Sequence, residues 1–192
     1  MMSHSLGRDS ATDELLTGPS SDVRLVIPVV CFMEAFSAFE DERRRQNRLI
    51  GDLQSQIKQL ERNVVSARIR PLIIHLEKSA IELREILNDS RTRLYEVIEI
   101  LRSSAELIGL TPSILGDSLA RPLIGDPTDD LILASILDHA NSQPSERKAF
   151  LSENRKDFDD RPYPKAALEA AGVKYFAQAS KFLEWHRSRS ES

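Results

Sequence analysis

The sequence predicts an α/β domain in which a central parallel sheet is covered by helices, with a long antiparallel helical pair set into the chain. Three observations predict it. Short apolar or β-branched runs at 23–30, 149–151 and 173–176 alternate with helical patterns. Apolar residues recur every three or four positions between Leu49 and Leu101. Asp126-Pro127 stands before an apolar run as a strong helix start.

Composition bounds the class of protein. The chain has 192 residues, 26 basic against 30 acidic side chains, a net charge of -4 and 41% hydrophobic residues, which fits one globular domain with an appendage. The single cysteine, Cys31, excludes an internal disulfide framework and a Cys-rich zinc module, and its apolar surroundings suit packing. The longest uncharged apolar stretch, 25–33, is nine residues, about half of a bilayer crossing. With no basic-then-apolar leader at the N-terminus, the expectation is a cytoplasmic protein without membrane attachment. Residues 43–102 carry 13 basic and 8 acidic side chains, a balance of +5, so the rest of the chain carries -9. The middle is compositionally distinct.

Taken in order, residues 11–16 read as a short helix before a turn at Gly18-Pro19-Ser20-Ser21. Val23, Leu25, Val26, Ile27, Val29 and Val30, interrupted by Pro28, suit a buried parallel strand leading directly into a helix. Met33, Ala35, Phe36 and Phe39 continue at helical spacing, and Glu34 is expected inside that apolar stripe. Glu40-Asp41-Glu42 and Arg43-Arg44-Arg45 then mark a solvated face. Leu49, Leu53, Ile57, Leu60, Val64 and Ala67 form one seam, with a break at Pro71. Leu76, Ala80, Leu83, Leu87, Leu94, Ile98 and Leu101 form another, ending before Gly109. A loop is expected from Thr111-Pro112 to Gly125, then a helix capped by Asp126 that places Asp129 and Asp130 in its first turn. A strand at 149–151, a helix at 166–171 ended by Gly172, a strand at 173–176 and a last helix at 179–186 complete the chain.

Seven unclustered glycines provide no phosphate-binding loop or dinucleotide fingerprint. His4, His75, His139 and His186 show no pair at ligand spacing, so a zinc hydrolase is not expected. What remains is a set of carboxylates at strand ends and in first helical turns: Glu34, Asp126, Asp129, Asp130 and Asp157, with Asn154 close by. In an open α/β sheet such points converge on the carboxyl edge of the strands. Carboxylates converging there repel unless protonated or bridged by a hard cation, and oxygen donors favour Mg²⁺ or Mn²⁺. Each also has an ordinary role: an ion pair for Glu34, dipole partners for Asp129 and Asp130, a cap for Asp126, loop and capping positions for Asn154 and Asp157.

Three segments carry a resemblance. Leu25-Val26-Ile27-Pro28-Val29-Val30-Cys31-Phe32-Met33-Glu34 resembles the second element of PIN-domain nucleases, where a strand, a proline and a helix present the family's second acid. Asp129-Asp130-Leu131-Ile132-Leu133-Ala134 is similar to the third-acid helix. Phe150-Leu151-Ser152-Glu153-Asn154-Arg155-Lys156-Asp157-Phe158 is similar to the strand end that leads to a terminal Asp-Phe. Gly172 to Phe176 and the last helix also fit, so the resemblance covers about 1–45 and 110–187. There are two departures. No strand bearing a first metal-binding aspartate precedes Gly7, so either the true start lies upstream or this member lacks that ligand. Residues 43–108 form an insertion typical of a PIN-like subgroup in which Asn154 and Asp157 replace a closely spaced Thr and Asp.

The resemblance implies a three-layer α/β/α core of residues 1–42 and 109–192 with a helical-hairpin insertion at 43–108. It implies a metal-dependent ribonuclease, the toxin of a toxin–antitoxin pair, hydrolysing RNA phosphodiester bonds. Glu34, Asp129 and Asp157 would be catalytic, and Mg²⁺ or Mn²⁺ would be held by Glu34 and Asp129 with Asp157 or Asn154. Its partners would be RNA, an antitoxin protein or a second copy in a homodimer. The alternative is an inactive PIN-like interaction module that uses the helical insertion to bind a partner.

Overall fold

The computed structural model describes residues 10–17, 22–62 and 66–190. The expectations about a first strand before Gly7, the turn at 18–21 and the seam position Val64 lie outside the described residues. The described elements begin with α1 (Ser10–Thr17) and β1 (Val26–Pro28), followed by the two long helices α2 (Val30–Arg62) and α3 (Ile69–Ser104). Then come β2 (Glu106–Ile108), α4 (Pro112–Ala120), α5 (Pro127–Ser142) and β3 (Lys148–Leu151). The chain closes with α6 (Arg155–Phe158), α7 (Pro162–Ala170), β4 (Val173–Phe176) and α8 (Ala179–Ser190).

All strand pairing among the described residues is parallel, as the alternation of strands and helices requires, but the expected central sheet is two separate pairs. β1 pairs with β2, Val26 opposite Glu106 and Pro28 opposite Ile108. β3 pairs with β4, Lys148 opposite Val173 and Leu151 opposite Phe176. Each strand is three or four residues long. Pro28 can donate no ladder hydrogen bond, but pairing continues past it, the Val29 N–H donating to the Ile108 carbonyl at 3.0 Å. β1 is shorter than the apolar run 23–30, whose last residue already begins α2.

Several expected boundaries move. α2 runs unbroken from Val30 through the start of the expected insertion at 43, and β2 falls inside the 43–108 segment as the partner of β1. The break between the two helices falls between Arg62 and Ile69, just before Pro71. Pro71 is the third residue of α3, in the first turn, where the missing N–H has no intrahelical acceptor to lose. The segment 112–120, read as loop, is a helix capped by Thr111, whose hydroxyl oxygen accepts from the Ile114 N–H at 3.2 Å with Pro112 at the first position. α2 and α3 pack along seams that bury Ala35, Phe39, Ile50 and Ile57 against Ala80, Leu94 and Leu101. Leu49, placed in the seam by the sequence, is 46% exposed, and Ile50 takes its position.

The main core lies between α5, α6, α7, β3 and β4. It buries Ile124, Ile132, Leu133, Ala140, Phe158, Leu168 and Val173, with Val30 and Cys31 from the start of α2 packed on it. Phe150 of β3 meets Phe158 edge to face at 4.9 Å. This cluster positions the site. It clamps α2 four residues before Glu34, α5 three residues after Asp129, and α6 one residue after Asp157.

Candidate active site

The loop before α5 is fixed first. Asp126 caps the helix, its Oδ1 accepting from the N–H groups of Thr128 at 2.9 Å and Asp129 at 3.2 Å, with Pro127 at the first position. Gly125 turns the chain into that cap with φ of 87°, a left-handed conformation that a side chain disfavours. Asp130 is 5% exposed and accepts three backbone hydrogen bonds: Leu123 and Ile124 donate to Oδ1 at 2.8 Å and Gly125 to Oδ2 at 2.9 Å. Both its oxygens are thus occupied in pinning the loop to the helix. Of the two adjacent aspartates, Asp130 holds the fold and Asp129 is left half-buried at the helix N-terminus.

Asp129 is where the site's charge concentrates. Asn154, at the N-cap of α6, donates from Nδ2 to Asp129 Oδ2 at 3.2 Å. The Asp129 carboxyl is raised from 3.8 to about 6, first by burial and then by the negative charges of Asp126, Glu34 and Asp157; the Asn154 hydrogen bond pulls it the other way. Glu34 thus lies within electrostatic reach of Asp129 from a different helix. It is exposed, as are Met33 at 70% and Phe36 at 36%, so it does not lie inside an apolar stripe as its sequence context suggested. The buried stripe of α2 is Ala35 and Phe39, and Glu34 sits on the open side.

Asp157, in α6, is drawn two ways. It adds to the charge on Asp129, and its Oδ1 forms an ion pair with the Arg161 guanidinium at 2.8 Å. The same guanidinium donates to the Ile124 carbonyl, so Arg161 ties α6 to the loop that Asp130 pins. Arg161 is not among the candidates the sequence offers, and its four-residue spacing from Asp157 is no helical signal, because α6 ends at Phe158 and Arg161 stands at the N-cap of α7. Asp126, read as a cap, is one, and it also contributes to the field on Asp129.

Cys31 completes the surroundings. Burial, with the charges of Glu34 and Asp129, pushes its thiol up to about 11. A thiol so held stays protonated at neutral pH and is a packing group rather than a nucleophile. Among the described residues no group of three or more His, Cys, Asp or Glu side chains stands ready to hold a metal ion. The donor chemistry of Glu34, Asp129, Asp157 and Asn154 is nonetheless all hard oxygen, with excess negative charge, and this suits a hard divalent cation.

A PIN-domain family model matches residues 6–158 of the 192. The chain belongs to the PIN-domain family. Comparison with curated proteins and with solved structures returned no match. The PIN-domain match takes in Glu34, Asp129, Asn154 and Asp157, ends one residue after Asp157, and spans both long helices as well as β2. Within this PIN domain the charged cluster joins the beginning of α2, the N-terminus of α5 and the turn of α6. No helix among the described residues is long and apolar enough to cross a membrane.

Proposed function

We propose that this PIN domain is a metal-dependent ribonuclease whose site is centred on Asp129. The observation that carries the reading is the electrostatic crowding at that carboxyl, raised to about 6 by burial and three neighbouring acids. Carboxyl groups whose pKa is strongly shifted by burial and by neighbouring like charges are common at sites tuned for function. Glu34 and Asp129 would hold Mg²⁺ or Mn²⁺, with Asn154 or Asp157 completing the set directly or through water. A bound cation would supply Lewis acidity and neutralise charge developing on an RNA phosphodiester. The chain's own part is positional: Asp130 fixes the loop, Asn154 orients Asp129, and the apolar cluster around Leu133 and Phe158 sets the three helices relative to one another. The role as toxin of a toxin–antitoxin pair in the cytoplasm, with an antitoxin as partner, rests on family membership alone.

A second reading, an inactive PIN scaffold that binds a partner through its helical hairpin, is favoured by one pair of observations. Asp157 is engaged by Arg161, and no ready three-ligand cluster exists among the described residues. Incubation of the chain with single-stranded RNA and Mn²⁺, together with calorimetric titration of Mn²⁺, separates the readings. The nuclease reading expects cleavage that EDTA, Glu34→Gln and Asp129→Asn each abolish, and Mn²⁺ binding that both variants weaken. Intact RNA and no Mn²⁺ binding by a folded chain would overturn the nuclease reading and leave the scaffold reading.

A further inference from the structure

Among the described residues, the α2/α3 hairpin leaves one face of α3 without a neighbour. In α3 the inward residues Ile69, Ile73, Leu76, Ala80, Leu83, Leu87, Ser90 and Leu94 follow steps of three and four, a heptad seam occupied by α2. At ~100° per residue, Arg70, Ile74, Glu77, Lys78, Ile81 and Glu85 fall within an arc of about 100° on the opposite side. Ile74 is 62% and Ile81 52% exposed there, seven residues apart. Two isoleucines at heptad spacing on a solvent face have no role in the hairpin's own packing.

The charges around them differ from the paired cluster at 40–45 of α2. On α2, Arg43, Arg44 and Arg45 each pair with an acid three residues earlier, at 2.6, 3.6 and 3.1 Å. Arg70, Glu77, Lys78 and Glu85 form no ion pair among the described residues, although Lys78 and Glu82 stand at pairing distance in sequence. Their order has a symmetry. If a second α3 runs antiparallel about a two-fold axis between Glu77 and Lys78, then Ile74 faces Ile81, Glu77 faces Lys78 and Arg70 faces Glu85, each contact occurring twice. An axis through Ile81 would instead set Glu77 against Glu85 and Lys78 against Arg84. A parallel arrangement would set every charge against itself. One register satisfies all six residues.

We propose that this outer face of α3, Arg70 to Glu85, is a self-association surface on which a second copy of the chain packs its own α3 antiparallel, forming an isologous dimer. The contact runs ~22 Å along the helix. It is small beside a standard interface of ~1,600 Å², so a weak, concentration-dependent association is expected. It is independent of the metal site and of the ribonuclease reading.

Sedimentation equilibrium on the full chain from about 5 to 500 µM tests it, with circular dichroism as the check on folding. The expected result is a monomer–dimer equilibrium that Glu77→Lys weakens at least about tenfold, because two lysine pairs now face each other. Glu77→Lys with Lys78→Glu restores the opposition of unlike charges and should restore the dimer. Ile81→Lys should leave a folded monomer. A monomer at every concentration, a dimer indifferent to Glu77→Lys, or a weakened dimer that the double exchange does not rescue would each overturn the proposal.

Discussion

Asn154 and Asp129, 25 positions apart in sequence, are joined by a hydrogen bond of 3.2 Å from the amide Nδ2 to the carboxylate Oδ2. The bond favours the ionised form of Asp129, while burial and three neighbouring acids favour the protonated form, and the second influence prevails. Several consequences of this contest are measurable.

The first concerns pH and stability. An unfolded Asp129 titrates near 3.8 and the folded one at about 6, so between those values the folded state binds a proton that the unfolded state does not. Stability from this group is greatest below the lower value and is lost as pH rises through the upper one. The full shift corresponds to about 3 kcal/mol, and partial exposure reduces the net effect to roughly 1 kcal/mol. Asp129→Asn should therefore stabilise the protein by roughly 1 kcal/mol above about pH 7 and flatten the pH dependence of its melting temperature between about 4 and 6. A variant that melts lower than the parent at neutral pH would contradict this account.

Protons and a cation compete for the same carboxylate. If Asp129 holds Mn²⁺, the affinity should fall by up to about tenfold for each pH unit below the group's value of about 6, and level off above it. Calorimetric titrations at several pH values read this directly. An affinity that is flat from about pH 5 to 7 would place the cation elsewhere.

Asp130 should respond in the opposite sense to its neighbour. Its carboxylate is buried and accepts from three backbone N–H groups, so removing it strands three donors, of which that of Ile124 is buried away from water. Asp130→Ala should cost on the order of 3 kcal/mol in urea unfolding, and Asp130→Asn, which keeps one acceptor oxygen, less. Two adjacent aspartates with opposite signs of effect would separate the charged site from its support.

How much of this was legible in the sequence depends on range. Local signals carried through: Asp126-Pro127 starts α5 as its cap chemistry requires, Gly172 ends α7 with φ of 71°, and the apolar run 173–176 forms β4. β2 was not legible, because Glu106-Leu107-Ile108 carries one acid and two large residues that are not all buried, and only β1 makes it a strand. The seam slipped by one residue at Leu49 because α2 takes two successive steps of four, Glu42 to Gln46 to Ile50, where a heptad expects a step of three. The environment of Glu34 was misread for a related reason, since Met33 and Phe36 are apolar yet face outward. What separates Asp129 from Asp130 is tertiary: which carboxylate meets the N–H groups of 123–125 follows from the fold of the loop and not from the composition of the pair.

Arg161 gives the last test, because it bears on which residue completes the site. Its guanidinium holds Asp157 at 2.8 Å and also reaches the Ile124 carbonyl, so it both neutralises a candidate ligand and braces the loop before α5. The guanidinium side chain is 40% exposed and that of Asp157 18%, so the loss of the pair should cost about 1 kcal/mol rather than the several of a buried one. Arg161→Ala should lower the melting temperature modestly and, by freeing the Asp157 carboxylate beside Asp129, raise Mn²⁺ affinity severalfold. Arg161→Ala with Asp157→Asn should return the affinity to that of the parent or below. Should Arg161→Ala alone weaken Mn²⁺ binding while the protein stays folded, Asp157 is a structural anchor, and Asn154 is the residue left to complete the site.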